Sequence, residues 1–98
     1  MEKISISINK YGATITKKEV AEEILSYINS LHPESNVIEV DMNGILAMTT
    51  QCANIIFGTL YTQLGSDNYF KNIILKNASK AIRFVIDMGL NHAKARVL

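Results

Sequence analysis

Apolar and polar residues alternate near the amino terminus in the pattern of a half-buried β-strand. In the stretch ISISI, Ile4, Ile6 and Ile8 lie on one side and the serines lie on the other. Residues 9–12 (Asn-Lys-Tyr-Gly) are typical of a turn, and residues 13–15 are typical of a short returning strand. The pattern therefore predicts that the chain begins with an antiparallel hairpin.

Three later segments have apolar residues at helical spacing. Thr16 precedes the first of them and Glu19 stands three residues further on, which is the spacing of a capping box. The second segment ends at Gly65, a residue type suited to the position after a helix, and the third is expected to begin at Asn77 or Ser79. The predicted buried stripes are Val20, Ala21, Ile24, Leu25, Ile28 and Leu31 in the first helix, Ala53, Ile56, Phe57, Leu60 and Leu64 in the second, and Ala78, Ile82, Val85, Ile86 and Leu90 in the third.

Two further strands are predicted between these helices. Residues 37–42 (VIEVDM) contain apolar residues without clean alternation, which favours burial on both faces. Residues 72–75 form a short apolar strand after a predicted loop at residues 66–68. The order is thus β-β-α-β-α-β-α over a single domain, residues 1–98. Helices between strands favour parallel pairing, so the expected fold class is α/β, with helices packed on a small mixed sheet of about four strands.

Length and composition agree with one globular domain. The 98 residues suffice for one hydrophobic core, and 48% hydrophobic with 19% charged residues is an ordinary globular composition. Cys52 is the only cysteine, which excludes an internal disulfide and agrees with a reducing compartment. No apolar run approaches the roughly 20 residues that span a bilayer, and the first residues lack the apolar core of a secretory signal. We therefore expect a cytoplasmic protein without a membrane partner.

The residues that usually carry catalysis or cofactor binding are missing. The sequence contains no phosphate-binding P-loop and no Gly-x-Gly-x-x-Gly motif. His32 and His92 are far apart and have no cysteine or carboxylate cluster at metal-ligand spacing, so each is expected on the surface at a helix end. Cys52 has no histidine close in sequence to activate it. We expect no catalytic residue, no metal site and no cofactor, and hence a protein that is not an enzyme.

The most informative segment is residues 37–65, where polar residues stand at the junctions of predicted elements. Asp41 lies at the end of a strand, Asn43 lies in the following link, and Thr49 and Thr50 lie at the start of a helix. A hydroxyl at that position caps a helix, and a carboxylate after a strand shapes a turn. The same groups are suited to recognition or phosphorylation by another protein, and the residues alone leave both interpretations open.

This segment resembles the corresponding part of STAS domains, the fold of anti-sigma-factor antagonists. The shared features are a strand ending at Asp41, a link with Asn43-Gly44, two hydroxyls, and an apolar helix with Phe57-Gly58. The order of elements agrees over essentially the whole chain, and the layout looks closest to small STAS-like proteins of bacteria and phages whose function is poorly defined. The resemblance implies a non-enzymatic regulatory module that binds a histidine-kinase-type ATPase or an anti-sigma factor.

The resemblance also implies which residues such a partner contacts. The antagonist motif reads Asp-Ser-Ser-Gly, and a partner kinase phosphorylates its first serine. Here Thr49 stands in place of the aspartate, Thr50 stands in place of that serine, and Gln51 and Cys52 replace the Ser-Gly that follows. In the pattern of the STAS-like group, Gln51 falls on a serine, Cys52 on a phenylalanine and Ile55 on a usual glutamate. The phosphoacceptor candidates are therefore Thr50 and Thr49, and the partner-binding candidates are Asp41, Asn43, Thr49, Thr50 and Gln51.

Basic residues near one exposed face of the last predicted helix indicate a second hypothesis, the binding of nucleic-acid phosphates. An acidic residue, Asp87, interrupts this stripe, and no aromatic residue clearly interleaves with it. A solvated helix face is thus the expected interpretation, and nucleic acid is not the expected partner. The basic residues concerned are Lys76, Lys80, Arg83, Lys94 and Arg96.

The charge is distributed unevenly along the chain. Residues 1–69 carry four lysines against eight acidic residues, whereas residues 70–98 carry six basic residues against Asp87 alone. This asymmetry can steer a partner, or the two halves can compensate each other within the fold. A third hypothesis is self-association as a homodimer, in which the acidic part of one copy pairs with the basic part of another and unpaired sheet edges meet.

Overall fold

The computed structural model describes the backbone of residues 2–97 and the side chains of residues 2–95. A 3-10 turn (Ile8–Tyr11) follows the first strand. A π-helical segment (Asn54–Gly58), in which the amide of Thr59 donates to the carbonyl of Asn54 five residues earlier, joins the second α-helix to the third. The other elements are β1 (Lys3–Ser7), β2 (Thr14–Ile15), α1 (Lys18–Ser30), β3 (Val37–Asp41), β4 (Ala47–Met48), α2 (Thr50–Ala53), α3 (Thr59–Leu64), α4 (Ser66–Asn72), β5 (Ile73–Lys76) and α5 (Lys80–Val97).

The centre of the fold is a three-stranded parallel sheet in the order β1-β3-β5. Ile38 of β3 pairs with Ile4 of β1 on one side and with Ile73 of β5 on the other. Because directly paired residues of parallel strands point to the same face, these three isoleucines share one face, which adjoins the hydrophobic core. The predicted α/β class is confirmed, and so is the expectation that residues 37–42 and 73–75 lie side by side.

The predicted opening hairpin is wrong. β1 pairs with β3, and β2 pairs in parallel with β4 in a separate two-stranded sheet. The chain does not reverse after β1; Ile8, which is 1% exposed, enters the core at the start of the 3-10 turn. The turn carries the chain to the segment after β3, where the amide of Leu46 donates to the carbonyl of Ala13 at 2.7 Å. The alternation in ISISI thus indicates a strand correctly, but the turn residues do not specify its partner.

The predicted loop at residues 66–68 is also wrong, since these residues begin α4. Gly65 adopts a φ of +82° and ends α3 as expected, but its carbonyl then accepts a hydrogen bond from the amide of Tyr69 at 2.8 Å. The side chain of Tyr69 is buried, so its packing stabilises a helix that the polar residues 66–68 do not predict. Asn72 accordingly belongs to α4, and β5 begins one residue later than expected.

The amino-terminal cap of α1 differs from the predicted capping box. Lys17 occupies the cap position without a side-chain hydrogen bond, and its carbonyl accepts from the amides of Val20 and Ala21 at 3.1 Å. Thr16 lies before the cap and is exposed. At the last helix, by contrast, the hydroxyl of Ser79 accepts from the amide of Ile82 at 3.2 Å. Of the two predicted starts, Asn77 and Ser79, the structure therefore confirms Ser79.

Two glycines let the core helices approach each other closely. A Cβ on Gly58 would lie 3.1 Å from the carbonyl oxygen of Gly89 in α5. A Cβ on Gly89 would lie 2.8 Å from backbone atoms of Ala53 and Asn54, closer than real Cβ atoms come to other atoms. Gly58 thus allows close packing. Gly89, a residue type that weakens a helix interior, is part of the same contact, which we call the glycine seam.

The predicted helical stripes form the core. Phe57 is 1% exposed, as expected for a core aromatic residue. Of the predicted stripes, the fully buried members are Ala21, Ile24 and Ile28 in α1, Ala53, Ile56, Phe57 and Leu60 in the helical run from α2 to α3, and Ile82, Ile86 and Leu90 in α5.

Candidate functional site

The last residues of the three central strands meet at one edge of the sheet. Ser7 pairs with Asp41, and Asp41 pairs with Lys76, so all three strands end together. We call this edge, with residues 42–51 that follow Asp41, the carboxyl edge. In open α/β sheets, binding residues usually lie outside the carboxyl ends of the strands.

Asp41 ties together the loops that follow two neighbouring strands. Its Oδ1 accepts a hydrogen bond from the backbone amide of Asn43 at 2.9 Å and another from the side-chain amide of Asn77 at 3.0 Å. Asn77 has a φ of +58°, in the left-handed region that asparagine tolerates better than most residues. The carboxylate of Asp41 therefore shapes the backbone of the carboxyl edge.

The electrostatics of Asp41 follow from these two donors. The side-chain amide of Asn77, and then the backbone amide of Asn43, lower the pKa of Asp41 below its usual 3.8. The carboxylate is half-buried and ionised at neutral pH. Of the two interpretations of Asp41, the geometry shows the turn-forming one directly.

The loop between β3 and β4 presents an apolar side chain to solvent. Its neighbours Met42 and Ile45 are buried in the core, and Gly44 between them adopts a φ of +85°. Leu46 is 77% exposed, although its backbone is held by the hydrogen bond to Ala13. Sequence reasoning missed Leu46 because a single leucine in a short link has no periodic pattern that separates it from core residues.

The two threonines at the start of α2 have different environments. The hydroxyl of Thr49 caps the helix by accepting from the amide of Cys52 at 3.1 Å. Thr50 is partly exposed, and its hydroxyl makes no hydrogen bond within the described residues. Gln51 is exposed, whereas Cys52 is buried with its Sγ 3.6 Å from the carbonyl oxygen of Lys17. The capping role therefore belongs to Thr49 and leaves the hydroxyl of Thr50 uncommitted.

The structure brings some of the predicted site residues into direct contact and leaves others apart. A hydrogen bond joins Asp41 to Asn43, which is itself exposed. In the described part of the chain, no hydrogen bond joins either residue to Thr49, Thr50 or Gln51. The candidate residues thus form two groups at opposite ends of the loop that carries Leu46.

A second carboxylate of β3 lies on the sheet face opposite the core and joins all three strands. Glu39 accepts from the hydroxyl of Ser5 at 2.9 Å, and its Oε2 lies 3.0 Å from Nζ of Lys3 and 3.2 Å from Nζ of Lys76. Hydrogen bonds from Lys3, Ser5 and Lys76, in that order, lower the pKa of Glu39 from 4.5 to about 2. The expected burial of β3 on both faces thus holds, but polar contacts rather than apolar packing bury Glu39.

A family model describing a STAS-like domain of unknown function (DUF4325) matches residues 18–83, more than half of the chain. The chain belongs to this family. The resemblance seen at Asp41 to Gly65 is therefore confirmed, and the match runs from α1 into α5 and includes all five partner-binding candidates. No curated protein and no solved structure matches the chain significantly.

The basic residues of this STAS-like domain do not form one uniform stripe. Arg83 lines a groove beside Asp87, whereas Nζ of Lys94 lies 5.9 Å from the centre of the Tyr61 ring. Contrary to expectation, an aromatic residue does interleave with them, since Phe84 is 66% exposed on α5. Lys76, which pairs with Glu39, and Lys80 are both exposed, and the side chain of Arg96 lies outside the described residues.

Two further findings concern the described residues of the STAS-like domain as a whole. Within them, no group of three or more histidine, cysteine, aspartate or glutamate side chains is placed to hold a metal ion. Among the same residues, none of the helices combines the length and the apolar character needed to cross a bilayer.

Proposed function

We propose that this STAS-like domain is a non-enzymatic regulatory module that binds a protein partner through its carboxyl edge. The contacting residues are the five candidates and, between their two groups, Leu46. The proposed partner is a histidine-kinase-type ATPase or an anti-sigma factor, the partner class of the antagonists that the chain resembles. The proposed setting is the bacterial cytoplasm.

The exposure of Leu46 is the observation that supports this proposal most. Protein interfaces depend on a few apolar anchors that enter a pocket of the partner and are surrounded by polar contacts. Leu46 is 77% exposed, and exposed polar residues precede and follow it in the sequence, Asn43 before and Gln51 after. The largely exposed leucine and its neighbours therefore have the composition of an interface centre with its rim.

The backbone of the carboxyl edge is held in place before any partner binds. Asp41 bonds to both neighbouring loops, Leu46 bonds to Ala13, and the amide of Thr49 donates to the carbonyl of Ile15 at 3.1 Å. A loop held in this way loses little conformational entropy on binding, which favours affinity.

Thr50 is suited to act as the switch of this interaction. A phosphate on its hydroxyl adds about −1.5 to −2 charge at the start of the helical run, where backbone amides and the helix dipole favour an anion. Thr49 would continue to cap the helix, so the fold would tolerate the change. A partner that covers Leu46 would instead meet a strongly hydrated dianion and dissociate.

The experiment measures binding of the purified chain to an ATPase or anti-sigma factor encoded beside its gene. We expect Leu46→Ser and Thr50→Glu each to weaken binding by about tenfold or more, through loss of the anchor and through added charge. Thr62→Glu places the same charge at another exposed threonine, on α3, and should bind like the unchanged chain.

Two outcomes would contradict this proposal. Equal affinity of all variants for such a partner would exclude the carboxyl edge as the docking surface. Absence of phosphate on Thr50 after incubation with a bound kinase-type partner and ATP, measured by mass spectrometry, would exclude the switch while leaving the docking surface standing.

A second candidate function is favoured by Phe84. Non-specific single-strand binding combines basic side chains with exposed aromatic rings on which bases stack. Phe84 lies on α5 between Lys80 and Asp87, next to Arg83. We expect the unchanged chain to bind a single-stranded oligothymidine at low salt in fluorescence anisotropy, and Phe84→Ala to weaken this binding. No binding of the unchanged chain at low salt would exclude this function.

A further inference from the structure

The outer edge of β5 is an open strand edge. β5 is bonded to β3 on one side and has no strand on its other side in the described sheet. The amide of Met42 donates to the carbonyl of Lys76 at 2.8 Å, so the backbone groups of Lys76 point to β3. Because these groups alternate along a strand, those of Leu75 point to the open edge. The amide and carbonyl of Leu75 are therefore oriented to pair with another extended chain.

A groove of about 190 Å³ follows this open edge. It is lined by three consecutive residues of β5, Ile73, Ile74 and Leu75. Side chains of consecutive strand residues point to opposite faces, so a groove that touches all three must run along the edge of the strand rather than over one face. The groove thus adjoins the backbone groups that remain to be paired.

Two helices form the other walls of the groove. The wall from α5 contains residues at positions i, i+3, i+4 and i+7, which form a single stripe about 10 Å long and match about three residues of an extended chain. Phe70 of α4 is 53% exposed at this groove, although its ring contacts Tyr69 with the centres 5.1 Å apart. The lining residues of the helices are Tyr69, Phe70, Arg83, Ile86, Asp87 and Leu90.

The charged side chains at and next to the groove are mostly basic, and these basic side chains have no ion-pair partner among the described residues. Arg83 lines the groove and forms no ion pair with any described residue. Lys71 follows the lining residue Phe70, and Lys80 lies one turn before Arg83; both are exposed and equally without an ion pair in the described structure. Asp87 is the one acidic side chain that lines the groove. An occupant with acidic side chains therefore fits better than a basic one.

We propose that this groove, which we call the β5 groove, binds an extended segment of a partner protein that carries apolar and acidic residues on the same face. The segment adds to the sheet as a strand beside β5, with its backbone paired to Leu75, an apolar side chain in the groove and an acidic side chain at Arg83. None of the residues that line this groove is among those proposed to contact a partner at the carboxyl edge, so this proposal does not depend on the function proposed there.

Charge also distinguishes this occupant from a second copy of the chain. In a symmetric dimer, two β5 strands would pair edge to edge. Lys71, Lys76 and Arg83 of one copy would then lie near the same residues of the other, and like charges at such an interface cost affinity. A partner with acidic residues meets no such repulsion.

The test uses the full chain and a short fluorescein-labelled peptide in which pairs of valines alternate with pairs of glutamates, so that each face of the extended peptide carries both residues. We expect saturable binding by fluorescence anisotropy, and little binding of the matched peptide in which lysines replace the glutamates. Arg83→Glu should weaken binding of the acidic peptide by about tenfold. Lys18→Glu makes the same charge change on α1, outside the groove, and should leave binding unchanged.

A second pair of variants tests the apolar contact. Phe70→Ser removes the exposed ring at the groove and should weaken binding, whereas Phe84→Ser removes an even more exposed ring of α5 that does not line the groove and should not. Circular dichroism shows whether each variant is folded. In a hydrogen-exchange measurement, the bound acidic peptide should slow the exchange of the amide hydrogen of Leu75 more than that of Val40 in the central strand.

Three results would overturn the proposal. The first is no binding of the acidic peptide, and the second is equal binding of the acidic and basic peptides. The third is Arg83-dependent dimerisation in light scattering without peptide binding, which would assign the groove to a second copy of the chain.

Discussion

The glycine seam and the carboxyl edge are two parts of one small domain that are built in opposite ways. At the seam, Gly58 and Gly89 bring backbones so close that no side chain fits between them. At the carboxyl edge, Asp41 holds the exposed loops through two hydrogen bonds and Thr49 through one, and Leu46 extends into solvent.

The difference shows where this fold tolerates change. Packed interiors lose stability when their volume changes by a single methyl group, whereas exposed hydrogen bonds each contribute little to the free energy of unfolding. The seam is therefore sensitive to any added side chain, while side chains at the carboxyl edge can be exchanged with small structural cost. Substitutions at this edge can therefore change the surface that a partner meets without disrupting the fold.

The largest effect is expected at the seam. Gly89→Val would place a branched side chain where even a Cβ lies 2.8 Å from the backbone of Ala53, so α5 must move away. We expect a loss of about 3 kcal/mol or more in the free energy of unfolding, measured with urea. Ala81→Val on the exposed side of α5 is the control and should change stability by about 0.5 kcal/mol or less. Similar stability of the two variants would show that the seam is not decisive.

The next effect concerns Glu39, whose pKa is about 2 in the folded chain against an ordinary 4.5. A lowered carboxyl pKa contributes stability that is complete above about pH 4.5 and is lost as the pH falls towards 2. Glu39→Gln should therefore lower the melting temperature at neutral pH and flatten its decrease between these values. Unchanged acid sensitivity in the variant would mean that Glu39 is not the group responsible.

A smaller effect is expected at the start of α2. Thr49→Ala removes the hydroxyl that accepts from the amide of Cys52, so it should cost about 1 kcal/mol in urea unfolding. Thr50→Ala should cost about 0.5 kcal/mol or less, because its hydroxyl has no such partner in the described structure. The reverse ranking would assign the cap to Thr50.

The smallest effect is expected at Asp41, which has two neutral donors where Glu39 has two lysines. Its pKa is lowered below 3.8, so its contribution to stability is present above that value and is lost as the pH falls below it. Asp41→Asn should reduce the acid dependence of the melting temperature less than Glu39→Gln does. A larger change at Asp41 would contradict the assignment of the stronger contacts to Glu39.

The sequence predicted the parts of the fold that depend on periodic burial. The stripes around Ile24, Phe57 and Ile86 are confirmed because a helix must bury one face wherever it packs. The partner of β1 was predicted wrongly, because alternation describes the faces of a strand and carries no information on its neighbour. The helix α4 was missed for a related reason, since the burial of Tyr69 depends on contacts distant in sequence.

The candidate site was predicted only where local chemistry decides it. A threonine before an apolar helix and an aspartate after a strand point to a cap and a turn, and Thr49 and Asp41 have these contacts. The exposure of Leu46 and the ion pairs of Glu39 arise from the tertiary arrangement of loops and strands. The sequence pattern therefore locates the junctions of elements, but it does not show which side chains they present.

The π-helical segment divides the helical run from α2 to α3 into a part before it, which contains Thr50, and a part after it, which contains Leu60. One residue turns an α-helix by about 100°, and the wider π turn accommodates an additional residue between Thr50 and Leu60. The direction in which Thr50 faces is therefore not dictated by the burial of Leu60. Removing one residue within Asn54–Gly58 would regularise the helix and rotate the part before it, which would move Ala53 out of its contact with Gly89 and disturb the glycine seam.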